Sequence, residues 1–457
     1  MNKQKLLLLL LFPLWGLGGL GLNLGFAQNR LSLQQAIQYG VANNITIKNS
    51  QSDAASAESR IGEIRSVGLP QVSGSVSILD NLIIQRAFFP AVFFDQNAPS
   101  DAPPIVVQFG VKFSGQAGVQ VSQLLFNAQW LLGLKAAEAY RELANKAIRQ
   151  TKMTVAESVA KAYYGVLIAE ERAKLLDLNI ERLDSSLVEL RGLNKSGFIE
   201  KIDVDRLEVT QNNLKTEKQK VANLIQLSQY LLKFQMGMPL EETINLTDRI
   251  SDNDVARIEL EAKTANDGDF GYDQRPDYSI LKTNLKLAEY DVENNKRGYY
   301  PTVAAFAGYG YNTGRNTFGD VFSSPWFNNA NIGLSVQVPI FDGFAKKYKI
   351  QQARNTVQKA KQSLSLVEQS IDLQIKSANI SIVNGLETLK TQKRNLDLAQ
   401  EIVRVSKIKY KAGSGSNLEV ISAEASLKES QTNYFAALYD VLLAKVDLDK
   451  AKGKLNF

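Results

Sequence analysis

Two rhythms run along this chain, and each occurs twice. The first has a period of two. Val72, Val76 and Ile78 alternate with Gln71, Ser73, Ser75 and Ser77, and Val111, Phe113, Ala117, Val119 and Val121 alternate with Lys112, Ser114, Gln116, Gln120 and Ser122. Further on, Val303, Ala305, Ala307, Tyr309 and Tyr311 face small residues, with Phe306 as the exception. Ile332, Leu334, Val336 and Val338 alternate with Asn331, Gly333, Ser335 and Gln337. Alternation separates an apolar from a polar face, so four strands are predicted, each of roughly 9 to 12 residues, the length of a tilted membrane strand.

The second rhythm has a period of seven. Ile375, Ile382, Leu389, Leu396, Val403 and Tyr410 form one seam, and Val159, Val166, Ala173, Ile180, Leu187 and Asn194 form its counterpart. Such heptads predict long helices packed along a stripe. Residues 127 to 193 contain no proline. As one helix they span roughly 100 Å, whereas a compact globule of this chain length is only roughly 55 to 60 Å across. An extended helical assembly is therefore expected. Shorter helices are predicted over 31–68, 203–236, 277–298 and 418–453.

The two rhythms recur together because the chain is a duplicated unit. Lys195-Ser196-Gly197 falls on Lys411-Ala412-Gly413, Ile202-Asp203-Val204 on Leu418-Glu419-Val420, and Glu208 on Glu424, all at one offset. Phe126-Asn127 falls on Phe341-Asp342. The first repeat covers 28–236 (helix, β-hairpin about 70–124, long helical hairpin). A segment rich in Gly and Asp, 237–275, connects it to the second repeat, 276–457, with its β-hairpin about 301–340. Gly197 and Gly413 suit helix C-termini, where a left-handed residue closes the last turn. Asp203 and Glu419 then sit in the first turn of the next helix, where negative charge is favoured. They either stabilise only those helix starts or also serve a function.

Composition narrows the chemistry. The 457 residues include no Cys and no His. Thiol chemistry, Cys/His metal sites, His-based triads and a lipid anchor on cysteine are excluded. No Walker glycine-lysine loop is present. A carboxylate hydrolase is the remaining enzymatic reading, and no motif supports it; no cofactor is expected. The net charge is +6, with both signs interleaved along the helical runs, which reads as solvated helix faces and not as a nucleic-acid surface. Lys3 and Lys5 precede an apolar run from Leu6 to Leu24 and Gly25-Phe26-Ala27. This reads as a signal peptide, 1–27, cleaved after Ala27, or else as a membrane anchor. An exported chain then needs its four strands to close with those of other copies, since a membrane barrel takes at least about eight strands and tolerates no open edge. An eight-stranded barrel is nearly filled by side chains, so a conduit favours three copies. A soluble sandwich on a periplasmic coiled-coil scaffold or adaptor is the alternative.

With these residues in view, the chain resembles the outer-membrane efflux (TolC-like) family over nearly all of residues 30 to 455. The resemblance rests on the duplicated layout, Leu125-Phe126-Asn127 and Ile340-Phe341-Asp342, Arg275-Pro276-Asp277, and Tyr410-Lys411-Ala412-Gly413 followed by Leu418-Glu419-Val420. It implies a mainly α fold with a membrane β-barrel: a homotrimer whose twelve strands form one barrel in outer-membrane lipid and whose coiled-coil helices form a periplasmic tunnel. It implies passive export, with a periplasmic adaptor and an inner-membrane transporter as partners. Asp203 and Glu419 become candidate entrance carboxylates and Tyr410 a candidate gate residue. The turns holding Gly197, Gly413 and Gly415 become candidate docking points for the adaptor. Two departures stand out. Gly413-Ser414-Gly415-Ser416 lacks the expected basic residue, and a second acidic position is Ser422.

Overall fold

The computed structural model describes residues 29–264 and 270–455. The expected signal peptide, 1–27, lies outside the described residues. The described chain opens with strand β1 (Asn29–Leu31), followed by α1 (Leu33–Asn43) and α2 (Ile45–Ser66). Sequence periodicity reads this stretch as one helix over 31–68; the structure breaks it at Asn44. There the backbone turns extended, with ψ 130°. The Asn44 side-chain oxygen accepts from the Thr46 N–H at 2.8 Å, and its amide donates to the Gln235 carbonyl at 2.7 Å. A short polar side chain that caps the next helix competes with continuing the previous one.

Next come β2 (Gln71–Asp80), a hairpin of β3 (Arg86–Phe89) and β4 (Ile105–Gln108), and β5 (Phe113–Asn127). Two long helices follow, α3 (Ala128–Lys195) and α4 (Lys201–Met236). Between the halves lie β6 (Ile244–Leu246), paired in parallel with β1, and α5 (Asp252–Thr264). Then α6 (Pro276–Arg297), β7 (Thr302–Arg315), the short α7 (Asp320–Ser323), β8 (Phe327–Gln337), α8 (Ala345–Lys411) and α9 (Asn417–Ala451) complete the chain.

At 68 residues, α3 is about 100 Å long, and α8 with 67 residues matches it. The second seam is interior up to its last position: Ile375, Ile382, Leu389, Leu396 and Val403 are buried, and Tyr410 is half-buried. In the first copy Val159, Val166 and Leu187 are buried, but Ala173 and Ile180 are half-buried, and Leu176, Leu183 and Leu190 take the interior. A strict seven-residue repeat drifts by about 20° per heptad on a straight helix, so the buried row changes partway along. Near the middle of α3, Val155, Val159, Tyr163 and Val166 pack with Ile37, Ile47, Leu232, Met236 and Ile244. The Tyr163 hydroxyl donates to the Leu31 carbonyl at 3.0 Å, which ties β1 to the long helix.

The four alternating segments form one antiparallel sheet in the order β2-β5-β7-β8. With 15 and 14 residues, β5 and β7 exceed the expected strand length. An irregularity between Leu124 and Phe126 bends β5 as it runs into α3. β8 stops at Gln337, short of residue 340, because Pro339 offers no N–H to a ladder. Both strand-to-helix junctions are capped. Asn127 accepts from the Trp130 N–H at 2.8 Å, and Asp342 accepts from the Lys346 N–H at 3.1 Å.

The registers sort the side chains. Val76, Ala117 and Tyr311 share one face, as do Val121, Ala307 and Ile332. The opposite face carries Ser73, Gln120, Gly308 and Asn331 in one row and Ser77, Gln116 and Asn312 in another. The sequence exception, Phe306, lies on that polar face with its ring over Gly333, within 2.5 Å of where a Cβ would stand. It covers backbone that a glycine leaves bare. Both outer strands, β2 and β8, are exposed along nearly their whole length. No described helix is long and apolar enough to cross a membrane.

Candidate functional site

The far end of the molecule from the sheet is built from two matching turns. In the first, Gly197 has φ +79°, and the Phe198 N–H donates to the Leu193 carbonyl at 3.0 Å. In the second, Gly413 has φ +72°, and the Ser414 N–H donates to the Lys409 carbonyl at 3.0 Å. These are left-handed helix ends of the kind glycine permits. Ser416 then caps α9 by accepting from the Glu419 N–H at 3.3 Å.

The duplicated carboxylates fare differently. Glu419 is exposed in the first turn of α9. Asp203 is half-buried, and it is held by the other hairpin. Asn417, only 4% exposed, donates its amide to the Asp203 carbonyl at 2.9 Å and to Oδ1 at 3.2 Å. Tyr410 packs its ring against the Leu183–Leu190–Val204–Leu207 cluster. Its hydroxyl is buried without a hydrogen-bond partner. Burial, with the Asp203 and Glu189 carboxylates adding to it, holds the phenol above its usual range. Asp203, Asn417 and Tyr410 therefore form one cross-hairpin group, and Glu419 stands outside it.

Deeper along the helices lies a polar group that sequence reasoning did not assign. Glu424 on α9 is buried between Arg182 of α3 and Lys407 of α8, each nitrogen 2.8 Å from a carboxylate oxygen. Arg182 also donates to Asn179 Oδ1 at 2.9 Å, and the Asn179 amide donates to Gln431 Oε1 at 2.7 Å. The sequence signal was present: Asn179, Glu424 and Gln431 are polar residues on otherwise apolar helix faces.

Comparison with known proteins matches this architecture. The profile of the family described as "Outer membrane efflux protein" fits residues 273–454. The proteases secretion protein PrtF of Dickeya chrysanthemi is 19% identical over 323 residues, covering 69% of this chain and 67% of the relative. The outer membrane protein TolC of Vibrio cholerae is 20% identical over 348 residues, covering 74% and 77%. The crystal structure of VceC from Vibrio cholerae superposes with a TM-score of 0.67 at 15% identity, covering 92% of this chain and 96% of that one.

Over residues 273–454 the chain is similar to the outer membrane efflux protein family.

The second turn, which lacks the basic residue that the resemblance implies, is closely packed around Gly415. Gly415 occupies the space where a side chain would stand. A Cβ there would lie 3.0 Å from Lys409 Cβ, 3.2 Å from the Tyr410 nitrogen and 3.3 Å from Glu419 Oε2. The turn is tightened at this point, and the contact across the two hairpins is made by Asn417.

Proposed function

We propose that this chain is one protomer of a trimeric outer-membrane channel whose helices continue as a conduit into the periplasm. The observation that carries the reading is the four-stranded sheet with one apolar face, one polar face and two open edges. At about 3.3 Å per residue and a tilt of about 40°, the 14 residues of β7 rise roughly 35 Å, enough for an apolar band of about 25 Å and both interfaces. Lipid cannot satisfy the edges of β2 and β8, so they must pair. β2 runs away from the helical end and β8 runs back toward it. The β8 of one copy thus meets the β2 of the next in antiparallel sense, and three copies supply twelve strands. The paired registers of the polar face hold no charged side chain, which suits a lumen that passes varied solutes.

The long helical hairpins of three copies continue this bore. Export is passive: an inner-membrane transporter supplies the energy, and a periplasmic adaptor links it to the turns at 194–202 and 411–418, which Gly197, Gly413 and Gly415 shape. Asp203 and Glu419 line the entrance and Tyr410 helps to hold it closed. The chain performs no catalysis in this reading.

The test is a planar bilayer recording of the mature protein purified in detergent. A discrete conductance from a species of trimer mass is the expected result. A protein that stays stable in plain buffer, never inserts and passes no current would return the four strands to a soluble domain on a periplasmic scaffold.

A further inference from the structure

At the end of the sheet opposite the helices, the β3–β4 hairpin continues directly from β2, an edge strand. Its base is fixed: the Asn81 N–H donates to the Lys112 carbonyl at 2.7 Å and its side-chain amide to the Val111 carbonyl at 2.9 Å. Beyond that base it is a ribbon of four residue pairs, Arg86↔Gln108 to Phe89↔Ile105. A two-stranded ribbon alone is marginal in water. This one also leaves Leu82 88%, Ile83 92%, Phe93 74% and Phe109 71% exposed.

The β7–β8 loop at the same end is built differently. Val321 is fully buried, the Trp326 indole N–H donates to its carbonyl at 2.8 Å, and Phe318 stacks edge-on against Phe113 with ring centres 5.6 Å apart. The loop is a fixed platform, yet it exposes Phe318, Phe322 and Phe327. Within one chain it is separated from the hairpin by β5 and β7. It leads into β8, the other open edge.

We infer that the β3–β4 hairpin of each copy docks on the β7–β8 loop of the next, so that three such contacts form an apolar collar around the outer mouth. This rests on the trimeric channel reading: once β8 of one copy pairs with β2 of its neighbour, the platform and the hairpin become adjacent. An anionic headgroup surface is the weaker occupant. Segment 81–112 balances Arg86 and Lys112 against Asp95 and Asp101 and offers no net positive charge.

The test is a photo-reactive benzoylphenylalanine at position 93 in the full chain, irradiated in purified trimers. The expected product joins two chains, with the label attached to a peptide from 316–327. A second variant carrying Phe318→Ser and Phe322→Ser should lose that product and keep trimer mass. Attachment to lipid, to another protein or within the same chain, or no product from a sample of trimer mass, overturns the collar and leaves the channel reading intact. A sample that never reaches trimer mass overturns the channel reading and the collar with it.

Discussion

Glu424 shows what a single side chain contributes here. Its carboxylate is nearly out of water and has a cation on each side, one from each of two other helices. Removing it leaves Arg182 and Lys407 facing one another across an apolar seam. Breaking a fully buried pair costs about 3–5 kcal/mol. Arg182 is about one-third exposed, so we expect a loss nearer ~2–4 kcal/mol for Glu424→Leu. Adding Arg182→Met and Lys407→Met should recover most of it. Unfolding in detergent followed by circular dichroism measures both; an unchanged midpoint for Glu424→Leu would dismiss the clasp. The sequence did align Glu424 with Glu208. It could not reveal that Glu208 lies half-buried against Arg191 of its own hairpin while Glu424 reaches the other. Duplication preserves the residue, and its neighbours decide its burial.

Among the elements, the long helices and the sheet were legible because their periods run for many residues. The break at Asn44 was not, since it depends on a carbonyl from α4, about 190 residues away in sequence. The lengths of β5 and β7 were also missed. Each pairs on both sides, and a neighbouring ladder extends a strand past the point where its alternation fades. Asn44 gives this scale its prediction. Asn44→Ala removes the cap on Thr46 and the bond to Gln235. We expect about 1 kcal/mol from the cap and a similar amount from the orphaned carbonyl. The loss should be local. Hydrogen exchange should quicken across α1 and α2 and leave α8 and α9 as protected as before. Slowing of exchange, or an equal rise throughout, would contradict a hinge held by this side chain.

At the scale of the whole molecule, three copies would bring three Glu419 and three Asp203 carboxylates to one entrance. Charged rings at a constriction set ion preference. The single-chain geometry divides their roles. Glu419 has an exposed side chain in the first turn of α9, and in the proposed channel it would be open to passing ions. Asp203 is engaged by Asn417 across the two hairpins, so its loss should first loosen the closed tip. The sequence supplied both residues as equivalents; only the packing of α4 against α9 separates them. We therefore expect Glu419→Ala to lower cation preference, read as a smaller reversal potential in a potassium chloride gradient, with little change in how often the channel opens. Asp203→Ala should raise the open fraction and shift the reversal potential less. The double variant should show both changes. If Glu419→Ala keeps the full cation preference, the selective ring lies elsewhere along the bore. If Asp203→Ala opens no more often than the parent, the Asn417 contact does not hold the entrance shut.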